Sequence, residues 1–278
     1  MGRGDRRGAT RLACFLFALL AIEFIFREHF GSVLRLVGAP LVYWLVYIAF
    51  EPFVRRHWSG MLVGWSRLIA GSFRDPLVGR DLLIGCAAGV TLSMLSYSGV
   101  LLASLFSAPQ PAPSTGIPVG TIETLSLFSG TRSIVVGIVH LMSVCIIYAL
   151  LITLLLFLLR TLLRSTWAAA IICILVFAAA FFPAGKMPLV FLIPVILMPV
   201  ALSSVIHLLI MFRFGLLALI ADQFFYNLLC LFPITTQTSA WYFGIGLTGL
   251  VILLAMAFYA FHTSLGGQPL FGRASLED

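Results

Sequence analysis

The sequence predicts an all-α fold, a polytopic transmembrane helix bundle of about eight spans with an interfacial amphipathic helix. Three observations predict it. Of 278 residues, 61% are hydrophobic and only 10% charged, against about 25% charged in an ordinary soluble domain; so few charges cannot cover a water-soluble globule of this length. The apolar residues run in long blocks instead of alternating, as bilayer-crossing helices do, and the mean hydropathy is +1.11. The basic residues between those blocks are also unevenly divided between the two sides that alternating spans would create.

In chain order, residues 1–11 form a basic cytoplasmic segment. Met1-Gly2-Arg3-Gly4-Asp5-Arg6-Arg7 resembles the head of a signal peptide, but the apolar run 12–26 contains Glu23 and no small-x-small cleavage site before Arg27. An uncleaved first span is therefore expected. The further expected spans are 36–50, 82–106, 134–159, 167–182, 188–212, 214–232 and 241–261. Each is near the roughly 20 residues that cross the hydrocarbon core, the first, second and fifth being short. The weakest is 214–232, because it carries Asp222, Gln223 and Asn227; a buried span and a re-entrant segment both fit it. The domain plan is 1–11, two spans over 12–50, a cytoplasmic connector 51–81, a six-span bundle 82–261 with an external proline-rich loop 107–133, and a cytoplasmic tail 262–278.

With the N-terminus inside, thirteen basic residues fall on the cytoplasmic side, including Arg6, Arg7, Arg11, Arg55, Arg56, Arg67, Arg160, Arg164 and Arg213. Four fall outside: Arg27, Arg35, Arg132 and Lys186. That is a positive-inside bias, and it attributes the net charge of +7 to anionic lipid instead of nucleic acid. The resulting expectation is a multi-pass membrane protein with the N-terminus in the cytoplasm and the C-terminus on the same side.

The connector is too polar to cross but has helical periodicity. Val54, Trp58, Met61, Trp65 and Leu68 recur at steps of four and three, while Arg55, Arg56 and Arg67 fall elsewhere on the wheel. Pro52 suits a helix start and Pro76 a stop. Trp on one face with Arg on the other suits a helix lying in the membrane interface; a connecting helix packed on the bundle fits equally. The loop 107–133 opens with Ala108-Pro-Gln-Pro-Ala-Pro-Ser-Thr, an extended pattern.

Catalytic signatures are absent from the sequence. It has no Gly-x-x-x-x-Gly-Lys-Ser/Thr, no His-Arg-Asp or Asp-Phe-Gly, no His-Glu-x-x-His and no Gly-x-Ser-x-Gly, so no enzymatic activity, cofactor or metal site is expected. The five cysteines lie scattered in apolar stretches without a CxxC pair, where cysteine behaves as a small hydrophobe. What remains are isolated polar residues at membrane depth: Glu23, His140, His207 and Asp222. Such residues are costly in lipid and face the bundle interior or lie near an interface. His207 and Asp222 suit an acid–imidazole pair on a proton or solute path, with Gln223 and Asn227 extending the polar face; one interhelical hydrogen bond each is the plainer explanation. Pro188, Pro194 and Pro199 should bend the sixth span. Gly85-Cys-Ala-Ala-Gly89 is a small-residue face for close helix contact.

Several segments together resemble one protein group. They are Gly2-Arg-Gly-Asp-Arg-Arg-Gly-Ala-Thr-Arg-Leu-Ala13, Glu51-Pro-Phe-Val-Arg-Arg-His-Trp58, Gly64-Trp-Ser-Arg-Leu-Ile-Ala-Gly71, Phe73-Arg-Asp-Pro-Leu-Val-Gly-Arg-Asp81 and Gly267-Gln-Pro-Leu-Phe-Gly272. The group is the multispan membrane region that follows the kinase domain of certain bacterial serine/threonine protein kinases, notably acidobacterial ones. The resemblance implies a junction between a cytoplasmic kinase and the first span near residues 2–8. The kinase domain itself has no counterpart here, so its ATP-binding and catalytic residues have no positions to occupy. The implied function is a non-catalytic membrane module that anchors or regulates a cytoplasmic kinase, partnered by the bilayer, by such a kinase domain or by a second copy of itself. A small-solute or ion transporter is the alternative.

Overall fold

The computed structural model describes residues 5–27, 33–105, 130–180, 198–235 and 237–267. Most of the proline-rich loop, Pro188, Pro194 and Lys186, and the tail beyond 267 lie outside the described residues. The described residues form helices α1 (Arg6–Arg27), α2 (Val33–His57), α3 (Val63–Ile69), α4 (Pro76–Leu105), α5 (Thr131–Leu163), α6 (Thr166–Ala180), α7 (Met198–Phe214), α8 (Leu216–Leu231) and α9 (Phe243–Ser264). A short 3-10 turn, Ser59–Leu62, joins α2 to α3.

Five segments are long and apolar enough to cross a membrane: Arg6–Phe26, Leu36–Arg56, Pro76–Ser98, Thr131–Leu163 and Phe243–Ser264. Shorter apolar helical stretches lie within α6, α7 and α8. At about 1.5 Å per residue, the 33 residues of α5 measure about 50 Å and the 16 of α8 about 24 Å. The first exceeds a hydrocarbon core of about 30 Å and the second falls short of it. The outside of the bundle is apolar: Leu158, Leu162, Trp167, Leu254 and Phe258 are all more than half exposed. A surface of that kind suits lipid and not water.

The center of the bundle is α8. Nearly all of its residues are buried, against α4 above all and also α5, α7 and α9. Its contact with α4 is backbone-close because of two glycines. A Cβ on Gly85 would collide with Ala221 and the Ala218 carbonyl, and one on Gly89 with the Asp222 carbonyl and Tyr226 amide. The Gly85-x-x-x-Gly89 face is thus the α4–α8 seam, the close-approach use of small residues in membrane helices. These pairings also show that α4 and α8 run parallel. By contrast α9 runs antiparallel to α4, since Gly79 abuts Ala260–Ser264.

The first pair of helices packs on the other side of α5. Trp44 Nε1 donates to Thr10 Oγ1 at 3.2 Å, and the Asp5 amide donates to Glu51 Oε2 at 3.1 Å, so α1 and α2 are antiparallel. Pro40 and Pro52 both lie inside α2. One apolar cluster joins α1, α2, α3, α5 and α6 with the adjoining ends of α7 and α8; a second joins α4, α5, α8 and α9.

The connector 51–81 departs from the sequence reading. It is not one helix bounded by Pro52 and Pro76: Pro52 lies within α2, and Pro76 opens α4. Asp75 caps α4, its Oδ1 accepting the Leu77 amide at 2.9 Å, which is the arrangement Asp followed by proline at the first helical position favours. The apolar stripe is real but faces protein: Val54, Met61 and Trp65 are buried in the first cluster. Between α7 and α8, Gly215 has φ of +96°, and a side chain there would overlap the Met61 carbonyl. Both the backbone conformation and the space demand glycine. This glycine seats the α7–α8 turn directly on the connector.

Candidate functional site

Two buried acid–imidazole pairs lie within the bundle. In the first, His207 of α7 places Nε2 3.3 Å from Asp222 Oδ2 of α8. Asp222 is fully buried, and neither of its oxygens has a well-aligned hydrogen bond among the described residues. His207 Nδ1 lies against the Ser203 carbonyl one turn back on its own helix. A carbonyl only accepts, so Nδ1 carries the proton. That fixes the chemistry on the other side of the ring: a bond between Nε2 and Oδ2 needs one shared proton, held as imidazolium–carboxylate or as imidazole–carboxylic acid. Either arrangement leaves the pair neutral overall, the form a bilayer interior tolerates.

Next to this pair is a hydroxyl cluster. The Tyr226 ring meets the His207 ring edge-on, with centroids 6.3 Å apart, and Tyr226 Oη lies 3.1 Å from Ser96 Oγ of α4. Tyr97 Oη donates to the Leu229 carbonyl at 3.0 Å. Polar groups therefore continue from Asp222 along the α4–α8 seam toward the C-terminal ends of both helices.

Gln223 and Asn227 are buried on α8, but a helix places them on a neighboring face from Asp222 and Tyr226. Asn227 Nδ2 donates to the Gln223 carbonyl at 2.7 Å, a bond along its own helix. The four residues singled out on α7 and α8 thus separate into an interhelical pair, His207 with Asp222, and an intrahelical one, Gln223 with Asn227.

The second pair is Glu23 of α1 with His140 of α5, two residues that the sequence alone does not join. His140 Nδ1 lies 3.1 and 3.2 Å from the two Glu23 oxygens, and both residues are buried. The signal is depth: both lie at a similar distance from the same end of helices that run in opposite directions. Arg132 marks that end, donating to the Ile25 carbonyl at 3.4 Å.

The opposite end of the bundle gathers the connector and most of the described arginines. Arg55 Nε pairs with Glu51 at 2.7 Å, Arg67 with Asp75 at 2.6 Å, and Arg80 with Asp81 at 2.8 Å. Arg56 is exposed. Trp58 lies under the Arg160 guanidinium at 4.4 Å and edge-on to Phe212 at 5.9 Å, which brings the ends of α5 and α7 to the connector. Trp65 is buried in the core. Of the five connector residues, Arg55 and Arg67 make local ion pairs, Arg56 faces outward, and the two tryptophans pack against protein.

At this end residues of the N-terminal segment and of the connector meet one another. Asp5 bonds Glu51. Gly64 leaves room for the buried Asp81 carboxylate, which a Cβ at that position would overlap. Arg11 Nη1 donates to the Ile69 carbonyl at 3.2 Å. Asp75, outside the spans, has its carboxyl held below the usual range by the Leu77 amide and by Arg67. No three metal-ligating side chains cluster among the described residues. Comparison with known proteins gives no match: no family model, curated protein or solved structure aligns with this chain.

Proposed function

We propose that this chain is an integral membrane module that anchors or regulates a cytoplasmic serine/threonine kinase-type signalling protein and is non-catalytic by itself. In this reading all eight apolar segments cross, the arginine-rich end faces the cytoplasm, and the membrane is a bacterial inner membrane. One observation carries the reading. Four of the five segments that resemble kinase-linked membrane regions, separated in sequence, are tied together at one end through Asp5–Glu51, Arg67–Asp75, Arg11–Ile69 and the Gly64–Asp81 contact. A kinase joined or docked near residue 5 would be attached to packed structure, so a change in helix packing could reach it. The positive-inside bias supports the orientation.

Flotation with proteoliposomes tests this. A kinase found with the chain should float with vesicles that contain it, and its phosphotransfer rate should change when Glu51→Ala removes the acceptor for the Asp5 amide. A kinase that neither floats nor changes rate contradicts the reading, and stoichiometric ATP binding by these 278 residues overturns the non-catalytic part.

A second reading, a proton-coupled or small-solute transporter, is favored by the buried His207–Asp222 pair and the Tyr226–Ser96 hydroxyls beside it. Proteoliposome flux that falls to the level of empty vesicles with Asp222→Asn would support it. Equal flux from both proteins would count against it.

A further inference from the structure

A cavity of about 450 Å³ lies under the connector, walled by α1, α3, α4, α5, α8 and α9. Its inner wall includes Met142, Cys145 and Phe225, and its roof includes Trp65 and Ile69. It reaches the surface at Arg11, Phe15, Phe73 and Tyr259, all of which are exposed. The volume lies within the range of about 300–1,000 Å³ typical of ligand sites. The chemistry of the lining is lopsided. Arg11 is its only charged side chain, and the rest is almost entirely apolar.

Arg11 has no carboxylate partner among the described residues. It spends one N–H on the Ile69 carbonyl, and a guanidinium has five donors in a fork that matches the oxygens of a phosphate. It also sits where the basic segment 1–11 gives way to the apolar run of α1, the level of lipid headgroups. A ligand for this site therefore needs a long apolar body and an acidic head at one end. A sugar or free ion fails the first requirement, and an uncharged hydrocarbon leaves Arg11 unmatched. The bilayer itself supplies a molecule that meets both.

We propose that the cavity takes an acyl chain of an anionic phospholipid, with Arg11 holding the lipid phosphate at its mouth. The site rests on the membrane location and is independent of either functional reading above. Bound there, the lipid would touch α1, the connector, α8 and α9 together. Lipid composition could thereby influence how the connector packs.

The test is native mass spectrometry of the full chain in detergent, titrated with phosphatidylglycerol and phosphatidylcholine of identical chains. One tightly retained phosphatidylglycerol is expected per protein, favored over phosphatidylcholine about fivefold, the contribution of one arginine near a headgroup. Glycerol phosphate without chains should not compete. Arg11→Gln should abolish the preference, and Met256→Trp, which fills the cavity, should remove retention of both lipids. Because Met256→Trp can disturb packing, a second measurement stands apart from it. Phosphatidylglycerol brominated along its chains should quench a Trp65 contribution that is missing in Trp65→Phe. Equal retention of the two lipids, an undiminished preference in Arg11→Gln, or quenching that is the same with and without Trp65 would overturn the proposal.

Discussion

His207 and Asp222 are tolerated in the bundle interior because they partner each other. Removing His207 leaves the fully buried Asp222 carboxyl without that partner, the costly way to break a buried acid–imidazole pair, whereas replacing both with apolar residues is close to neutral. His207→Leu should therefore cost about 3 kcal/mol, and adding Asp222→Leu should restore most of it. Reversible unfolding in mixed micelles, read as a double-mutant cycle, measures this. Asp75 makes the complementary prediction outside the membrane. Its folded carboxyl is depressed by the Leu77 amide and Arg67, so its charge stabilises the fold above the unfolded Asp value of about 3.9. That contribution is lost as pH falls through the lower folded value. Asp75→Asn keeps a good cap but removes the charge. The stability gap between variant and parent should be constant near neutrality and close in acid; a gap that widens as pH falls contradicts this account.

At the scale of elements, the α4–α8 seam and the connector are the sensitive places. Gly85→Leu would force apart two backbones that touch at Ala218 and Ala221, and loss of the folded detergent-stable species on size exclusion is the expected result. Trp65→Ala empties a buried site and should cost about 3 kcal/mol, while Arg56→Ala on the exposed face should change stability little. The helices were legible in the sequence because long apolar blocks leave the backbone no other way to satisfy its hydrogen bonds in lipid. The connector was less so. Periodicity in Val54, Met61 and Trp65 reported a buried stripe but not what buries it, and the stripe meets protein. Pro52 read as a start because proline suits a first helical turn, yet here it lies inside α2. The polar content that made 214–232 look weak has a structural reason: α8 is enclosed by other helices, so Asp222 and Asn227 never meet lipid. His207 and Asp222 could be named from chemistry alone. The Glu23–His140 contact, 117 residues apart, needed the packing of α1 on α5.

At the scale of the whole molecule, the described helices form a two-ended bundle. One end collects Arg11, Glu51, Trp58, Asp75, Arg160 and the Gly215 turn around the connector; the other has Arg132 close to the end of α1. The turns that join α5 to α6 and α7 to α8 lie at the first end, and the start of α5 and the end of α8 lie at the second. If every apolar segment crosses, this division is the membrane sidedness itself. The most direct measurement is labelling by an impermeant maleimide of single cysteines in a cysteine-free background, placed at Arg56, Ser72, Arg164, Gly130 and Thr238. In intact cells the account predicts labelling at 130 and 238 only, and in inverted vesicles at 56, 72 and 164 only. Labelling of 164 or 72 from outside, or of 130 and 238 from opposite sides, would contradict it.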